Sequence, residues 1–168
     1  MKIHIIGGSG SGKTYLAKRL ADRYLLPVYE LDDLFWDNAA GRYGVKMPAE
    51  KRDRLLRDIL CTDDWIVEGA YCSWLAESFR QADVILVLEM PARVCQSRII
   101  RRFFKRKLGL EGGKRETLGS LIDLLRWTAA FEKNNLPEIQ EMLAAYPDKT
   151  VTLHSRAEAE RYIKCHCP

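Results

Sequence analysis

Residues Gly7 to Thr14 read GGSGSGKT, and residues of those types at that spacing can do one kind of chemistry, the holding of phosphate groups. The run satisfies G-x-x-x-x-G-K-[ST], with Gly7, Gly12, Lys13 and Thr14 at the fixed positions. Small residues through Gly8, Ser9, Gly10, Ser11 and Gly12 let a loop curl until successive backbone N–H groups converge on phosphate oxygens. A helix starting just after them turns its positive dipole end toward the same anions. Lys13 is then within reach of the β and γ phosphates and the Thr14 hydroxyl can ligate Mg²⁺, so ATP and Mg²⁺ are the expected cofactors. A dinucleotide fingerprint, G-x-G-x-x-G, fits less well. Gly8 and Gly10 match its first two positions and Asp32 stands where a ribose-binding acid would, but the third glycine position is Lys13.

Transfer of a phosphoryl group to a hydroxyl needs a carboxylate near the metal and a group that orients the hydroxyl and takes its proton. Three apolar runs end in acids that could serve. Asp32 is one candidate, and Asp33 is either another or a cap for the short segment Leu34 to Trp36. Glu68 is a further candidate, the alternative being a carboxylate that ties the end of a sheet to a loop. Glu89, just before Pro91, reads as a helix-start acid. Trp36 and Tyr71 follow strand ends and are candidates to line an acceptor pocket with Asp32 and Glu68. His4 alternates with Ile3 and Ile5 and reads as structural. Cys165, His166 and Cys167 are consecutive, which gives poor tetrahedral geometry, so no metal site is expected there.

The elements that must position these residues alternate strand and helix. Lys2 to Ile6, Pro27 to Leu31, Trp65 to Glu68, Val84 to Leu88 and Lys149 to Leu153 read as strands, and VILVL at Val84 is apolar enough to lie in the middle of a parallel sheet covered on both faces. Helices are expected over Thr14 to Leu25, from Pro48 through Leu60, Ser73 to Gln81, Pro91 to about Leu108, about Leu118 to Ala145, and Glu158 to Lys164. The pattern predicts a doubly wound α/β sheet with its ligand crevice at the carboxyl ends of the strands. In the helix from Pro91 to about Leu108, Arg98, Arg101, Arg102 and Lys105 recur at spacings of three and four, so they share a helix face, with Cys95, Ile99 and Phe103 on an adjoining one.

The chain of 168 residues is 47% apolar, 30% charged and 10% aromatic, which excludes a disordered or collagen-like chain and suits one domain over 1–168. The net charge of +4 is concentrated: Arg93 to Arg115 holds nine Lys and Arg against the single acid Glu111, or +8, and the rest sums to −4. A compact cationic block suits a local cluster of phosphates better than duplex nucleic acid. Five scattered cysteines argue for reduced thiols and a cytoplasmic location. No apolar run reaches the ~18 residues of a membrane span, so no membrane partner is expected.

With GGSGSGKT, LDDLFW at Leu31, WIVEGAY at Trp65, ADVILVLEMP at Ala82 and RVCQSRIIRR at Arg93, nearly the whole chain resembles the adenylate-kinase-like branch of P-loop proteins. Within it the chain is most similar to small bacterial proteins labelled DNA topology modulation proteins, FlaR-related. The resemblance implies a P-loop NTPase three-layer α/β/α fold, a five-stranded parallel sheet of order 2-3-1-4-5, and a small helical lid over about 102–118. It implies that Arg98 and Arg102 are the pair flanking the lid, one near the nucleotide and one on phosphate, with Arg115 and Arg126 as further candidates to close over the transferred group. It places Glu68 at the position of a metal-side acid and Asp32 at the position that contacts acceptor or magnesium. Nucleoside monophosphate kinases commonly carry Asp-Gly then Pro-Arg after the third strand, where this chain has Glu68, Gly69, Ala70 and Tyr71, so a nucleoside monophosphate is not the expected acceptor.

The expectation is an ATP-binding phosphotransferase that moves the γ-phosphoryl group of MgATP to a small molecule or nucleotide-like acceptor, with Lys13, Asp32, Arg98 and Arg102 carrying the chemistry. The rivals are an ATP-dependent nucleic-acid-associated protein, whose DNA affinity would fall steeply with salt, and a regulatory ATPase indifferent to any acceptor. A monomer or a homodimer fits either.

Overall fold

The computed structural model describes residues 1–37, 39–40, 44–110 and 117–165. Five parallel strands, β1 (Lys2–Gly7), β2 (Val28–Glu30), β3 (Trp65–Gly69), β4 (Val84–Leu88) and β5 (Thr150–Leu153), form one sheet in the order β2-β3-β1-β4-β5. β1 lies at the centre, with His4 between Val67 of β3 and Ile85 of β4. This is the three-layer α/β/α P-loop NTPase fold with the strand order expected from the resemblance.

Alternation along the buried strands divides the core between two faces. Ile3 and Ile5 of β1, Ile66 of β3, and Leu86 and Leu88 of β4 pack with Leu16, Ala17 and Leu20 of α1 (Lys13–Tyr24) and with Ala159 and Ile163 of α8 (Arg156–Cys165). Ile6, Trp65, Val67, Ile85 and Val87 face the other way, where α2 (Leu31–Phe35), α3 (Ala49–Leu60) and α4 (Ala76–Gln81) cover them. α5 (Ala92–Lys107) and α6 (Leu118–Ala130) pack on each other through Ile99, Phe103 and Leu121. α6 continues through a π-helical turn, Phe131–Asn135, into α7 (Leu136–Leu143), which returns to the second face through Ile139 and Leu143.

Two expectations about elements are corrected. The single helix expected from Leu118 to Ala145 is interrupted at Phe131–Asn135, because Pro137 lacks an N–H and its ring would meet the carbonyl of residue 133. The helix expected from Ser73 begins only at Ala76.

His4 stands in the second face of β1, fully buried, its Nδ1 2.7 Å from Ser78 Oγ and its ring 4.5 Å from that of Phe79. Burial alone drives its pKa down to about 3, so it is a neutral core residue, in line with the structural role read from its spacing.

Candidate functional site

β1 ends at Gly7 and α1 begins at Lys13, so residues 8–12 turn the chain through a tight loop at the carboxyl edge of the sheet. Gly10 (φ 77°) and Gly12 (φ 106°) lie in the left-handed region that only glycine enters without strain. At Gly10 space is refused as well: a Cβ there would stand 2.6 Å from the carbonyl oxygen of Cys95 in α5. No side chain caps the N-terminus of α1, so its first amides are open to an anion. The hydroxyl of Ser11 is buried and has no hydrogen-bond partner among the described residues. An orphaned hydroxyl inside a nest of amides at an uncapped helix start fits a phosphate group.

Lys13 folds back over this loop and donates to the carbonyl oxygen of Gly8 at 3.0 Å. Burial pushes its ammonium below the ordinary lysine value, while Glu68 and then Asp32 pull it back up, so both carboxylates act on the same charge. Thr14 donates from its hydroxyl to Oε1 of Glu68 at 2.5 Å. Glu68 is buried at the end of β3, and burial raises its pKa against the opposing pull of Lys13 and of the Thr14 hydrogen bond. Hydroxyl and carboxylate together make an all-oxygen donor pair suited to Mg²⁺, which completes its shell with phosphate oxygens and water. Among the described residues no group of three or more His, Cys, Asp and Glu could hold a metal alone.

Across from Lys13, Asp32 lies in the first turn of α2 and its Oδ1 accepts from the Tyr71 hydroxyl at 2.7 Å. The Tyr71 ring stacks on Phe35 (centroids 4.6 Å apart, 26° between planes) and tilts against Trp74 (5.6 Å). Trp36 meets Phe35 edge-on at 4.8 Å and pairs with Lys46 across the loop that follows α2. Lys46 covers the Phe35 ring at 5.5 Å and Arg52 covers Trp74 at 4.5 Å. Asp32, Trp36, Glu68 and Tyr71, separated in sequence, thus gather at the carboxyl ends of β2 and β3.

Arg98 reaches the loop from the other side, its Nη1 donating to the carbonyls of Gly10 (3.1 Å) and Ser11 (2.9 Å). Arg102, one turn on, is half-buried and acts on the Lys13 charge, whereas Arg101 is exposed. The shared cationic face therefore splits, with Arg98 and Arg102 turned inward. Arg126 is exposed beside Asp123 at 3.7 Å, and Arg115, His166 and Cys167 lie outside the described residues.

Two acids are placed otherwise than expected. Asp33 does not cap α2: Glu30 holds that position, and Asp33 lies in the first turn. Glu89 does not serve the start of α5 but accepts from Gln140 of α7 at 3.2 Å, close to His154. Four contributors escaped the sequence reading. Phe35, Trp74 and Arg52 belong to the aromatic cluster; Phe35 lies within the run LDDLFW, whereas Trp74 and Arg52 lie outside both that run and WIVEGAY. Phe131 sits so close over Gly8 that a Cβ there would be 3.0 Å from its ring; nothing local in the sequence marks a contact between residues so far apart.

No protein-family model matches the chain. It is similar to the uncharacterized protein YqaC of Bacillus subtilis (strain 168), 29% identical over 105 residues, and the match spans 62% of this chain and 57% of that protein. Three solved structures resemble it over nearly its whole length. Shikimate kinase from Bacteroides thetaiotaomicron superposes with a TM-score of 0.59 at 16% identity, covering 98% of this chain and 94% of that one. Shikimate kinase from Acinetobacter baumannii in complex with shikimate gives 0.57 at 18%, covering 97% and 89%. A sugar kinase from Janibacter sp. HTCC2649 gives 0.52 at 21%, covering 97% and 90%. At these identities the likeness establishes the fold, which this chain shares with P-loop kinases.

Proposed function

We propose that the chain is a MgATP-dependent phosphotransferase acting on a hydroxyl of a small acceptor held between Asp32, Trp36, Glu68 and Tyr71. The observation that carries this reading is that the Asp32 and Glu68 carboxylates both act on the buried Lys13 ammonium beside the loop of residues 8–12. The kinase fold of the three structural neighbours supports it.

In this reading the amides of residues 8–12 and Lys13 bind and orient the phosphates of the substrate ATP. Thr14 and Glu68 hold Mg²⁺, which when bound neutralises phosphate charge. Asp32, fixed by the Tyr71 hydroxyl, orients the acceptor hydroxyl and accepts its proton. Arg98 exchanges its carbonyl partners for phosphate oxygens, and with Arg102 it offsets charge that develops on the transferred group. The segment over about 102–118, of which 111–116 lie outside the described residues, would act as the lid, and residues 1–168 would work as one P-loop kinase-like domain.

Incubation with MgATP against a panel of nucleosides, nucleotides and sugars tests the reading by mass spectrometry. A phosphorylated acceptor whose formation needs Lys13 is expected. ADP release that no acceptor alters, with no phosphorylated product, would replace it with a regulatory ATPase.

A further inference from the structure

The outer side of the α5–α6 pair carries large exposed apolar side chains, four of them within the segment proposed as the lid. On α5, Ile100, Phe104 and Leu108 recur every four residues and so form one stripe. Leu118 and Ile122 form a second stripe on α6, also four apart, and Leu110 follows the end of α5. All six are exposed, and exposure climbs along α5 and just beyond it: 38% at Ile100, 54% at Phe104, 72% at Leu108 and 74% at Leu110. The two helices meet through Ile99, Phe103 and Leu121, so the exposed stripes are not the surfaces that join them. Contiguous exposed apolar side chains at this density mark an interaction surface rather than the scattered apolar residues of an ordinary exterior.

Charge narrows the kind of partner. α5 holds seven Lys and Arg and no acid. Arg98 and Arg102 turn toward the phosphate loop, but Arg101 and Lys105 run beside the apolar stripe on one flank and Lys107 lies on the other. A second copy of this chain would bring the same cations against these. The exposed side chains are chiefly aliphatic, which offers bases little to stack on. A convex pair of helices with an apolar centre and basic margins matches an anionic lipid surface, where aliphatic side chains enter the acyl boundary and the cations meet headgroup phosphates.

We propose that this face of the helix pair docks on an anionic membrane surface. No membrane-spanning helix is required, and among the described residues none is long and apolar enough to be one. The absence of a span, which led to the expectation of no membrane partner, does not bear on a helix pair that lies on the surface.

The test is co-sedimentation of the full chain with phosphatidylcholine vesicles and with vesicles containing phosphatidylglycerol, over a salt series, alongside light scattering of the protein alone. Because the side chains are exposed, Phe104→Ser/Leu108→Ser/Ile122→Ser leaves the core intact, and circular dichroism checks this. Expected are binding that needs phosphatidylglycerol, a loss of at least tenfold in partitioning for the triple variant, and a further loss in Arg101→Ala/Lys105→Ala. Three results would overturn the proposal. One is no binding to phosphatidylglycerol vesicles. Another is binding that the triple variant retains in full, which makes it charge attraction alone. The third is a dimer in solution that the triple variant dissociates, which makes the occupant a second copy.

Discussion

The Tyr71 hydroxyl donates to Oδ1 of Asp32 at 2.7 Å, tying the loop after β3 to the first turn of α2. One carboxylate oxygen is thereby occupied and the ring behind it is clamped between Phe35 and Trp74. An exposed aspartate gains a fixed direction in this way, and a proton acceptor is useful only if it holds one.

Lys13→Ala removes the cation on which both carboxylates act. MgATP binding is expected to weaken by about 1.5–3 kcal/mol, or roughly ten- to a hundredfold, with the fold retained. Titration calorimetry reads this directly, and an unchanged affinity would mean that the loop does not hold ATP phosphates through Lys13.

Gly10→Ala separates clash from backbone strain when compared with Gly44→Ala. Both glycines have positive φ, 77° and 85°, but a Cβ at Gly10 meets the Cys95 carbonyl at 2.6 Å while nothing lies within 4 Å of one at Gly44. The Gly44 variant is expected to lose about 1 kcal/mol and the Gly10 variant at least ~2 kcal/mol more, measured by urea unfolding. Equal losses would show that the loop yields to α5.

His4 makes stability depend on pH. Its folded pKa is lowered to about 3 from 6.5, so above pH 6.5 it is neutral in both states and contributes no pH dependence. As pH falls below 6.5 the unfolded chain takes up a proton that the fold refuses, and stability drops by about 1.4 kcal/mol per pH unit until pH nears 3. His4→Gln, which keeps a partner for Ser78, is expected to be less stable at pH 7 and to recover roughly 2 kcal/mol relative to the parent by pH 5. Parallel pH dependence in the two proteins would refute the assignment.

The fold was legible because its signals are local. The first four strands were short apolar runs closed by glycine or an acid, KTVTL was the fifth, and the structure moves their ends by at most one residue. The loop over residues 7–14 was legible because Gly7, Gly12, Lys13 and Thr14 stand at the fixed positions of its motif, whereas the need for glycine at Gly10 comes from its positive φ and the approach of Cys95. The break at Phe131–Asn135 was legible too, in Pro137, but the apolar spacing on both sides ran through it and masked it. What could not be read was convergence. Phe131 over Gly8, Arg98 on the Gly10 carbonyl and the Phe35–Tyr71–Trp74 stack are products of the sheet order, which brings together chain segments that no periodicity connects.

The central claim is transfer to an acceptor hydroxyl oriented by Asp32, and the most direct measurement follows γ-labelled MgATP in the parent and in Asp32→Asn with an acceptor that the parent phosphorylates. ATP affinity is expected to stay within a few-fold of the parent and transfer to slow by ~10²–10⁴. Transfer at the parent rate in Asp32→Asn would contradict it, as would label released only as inorganic phosphate whatever acceptor is present.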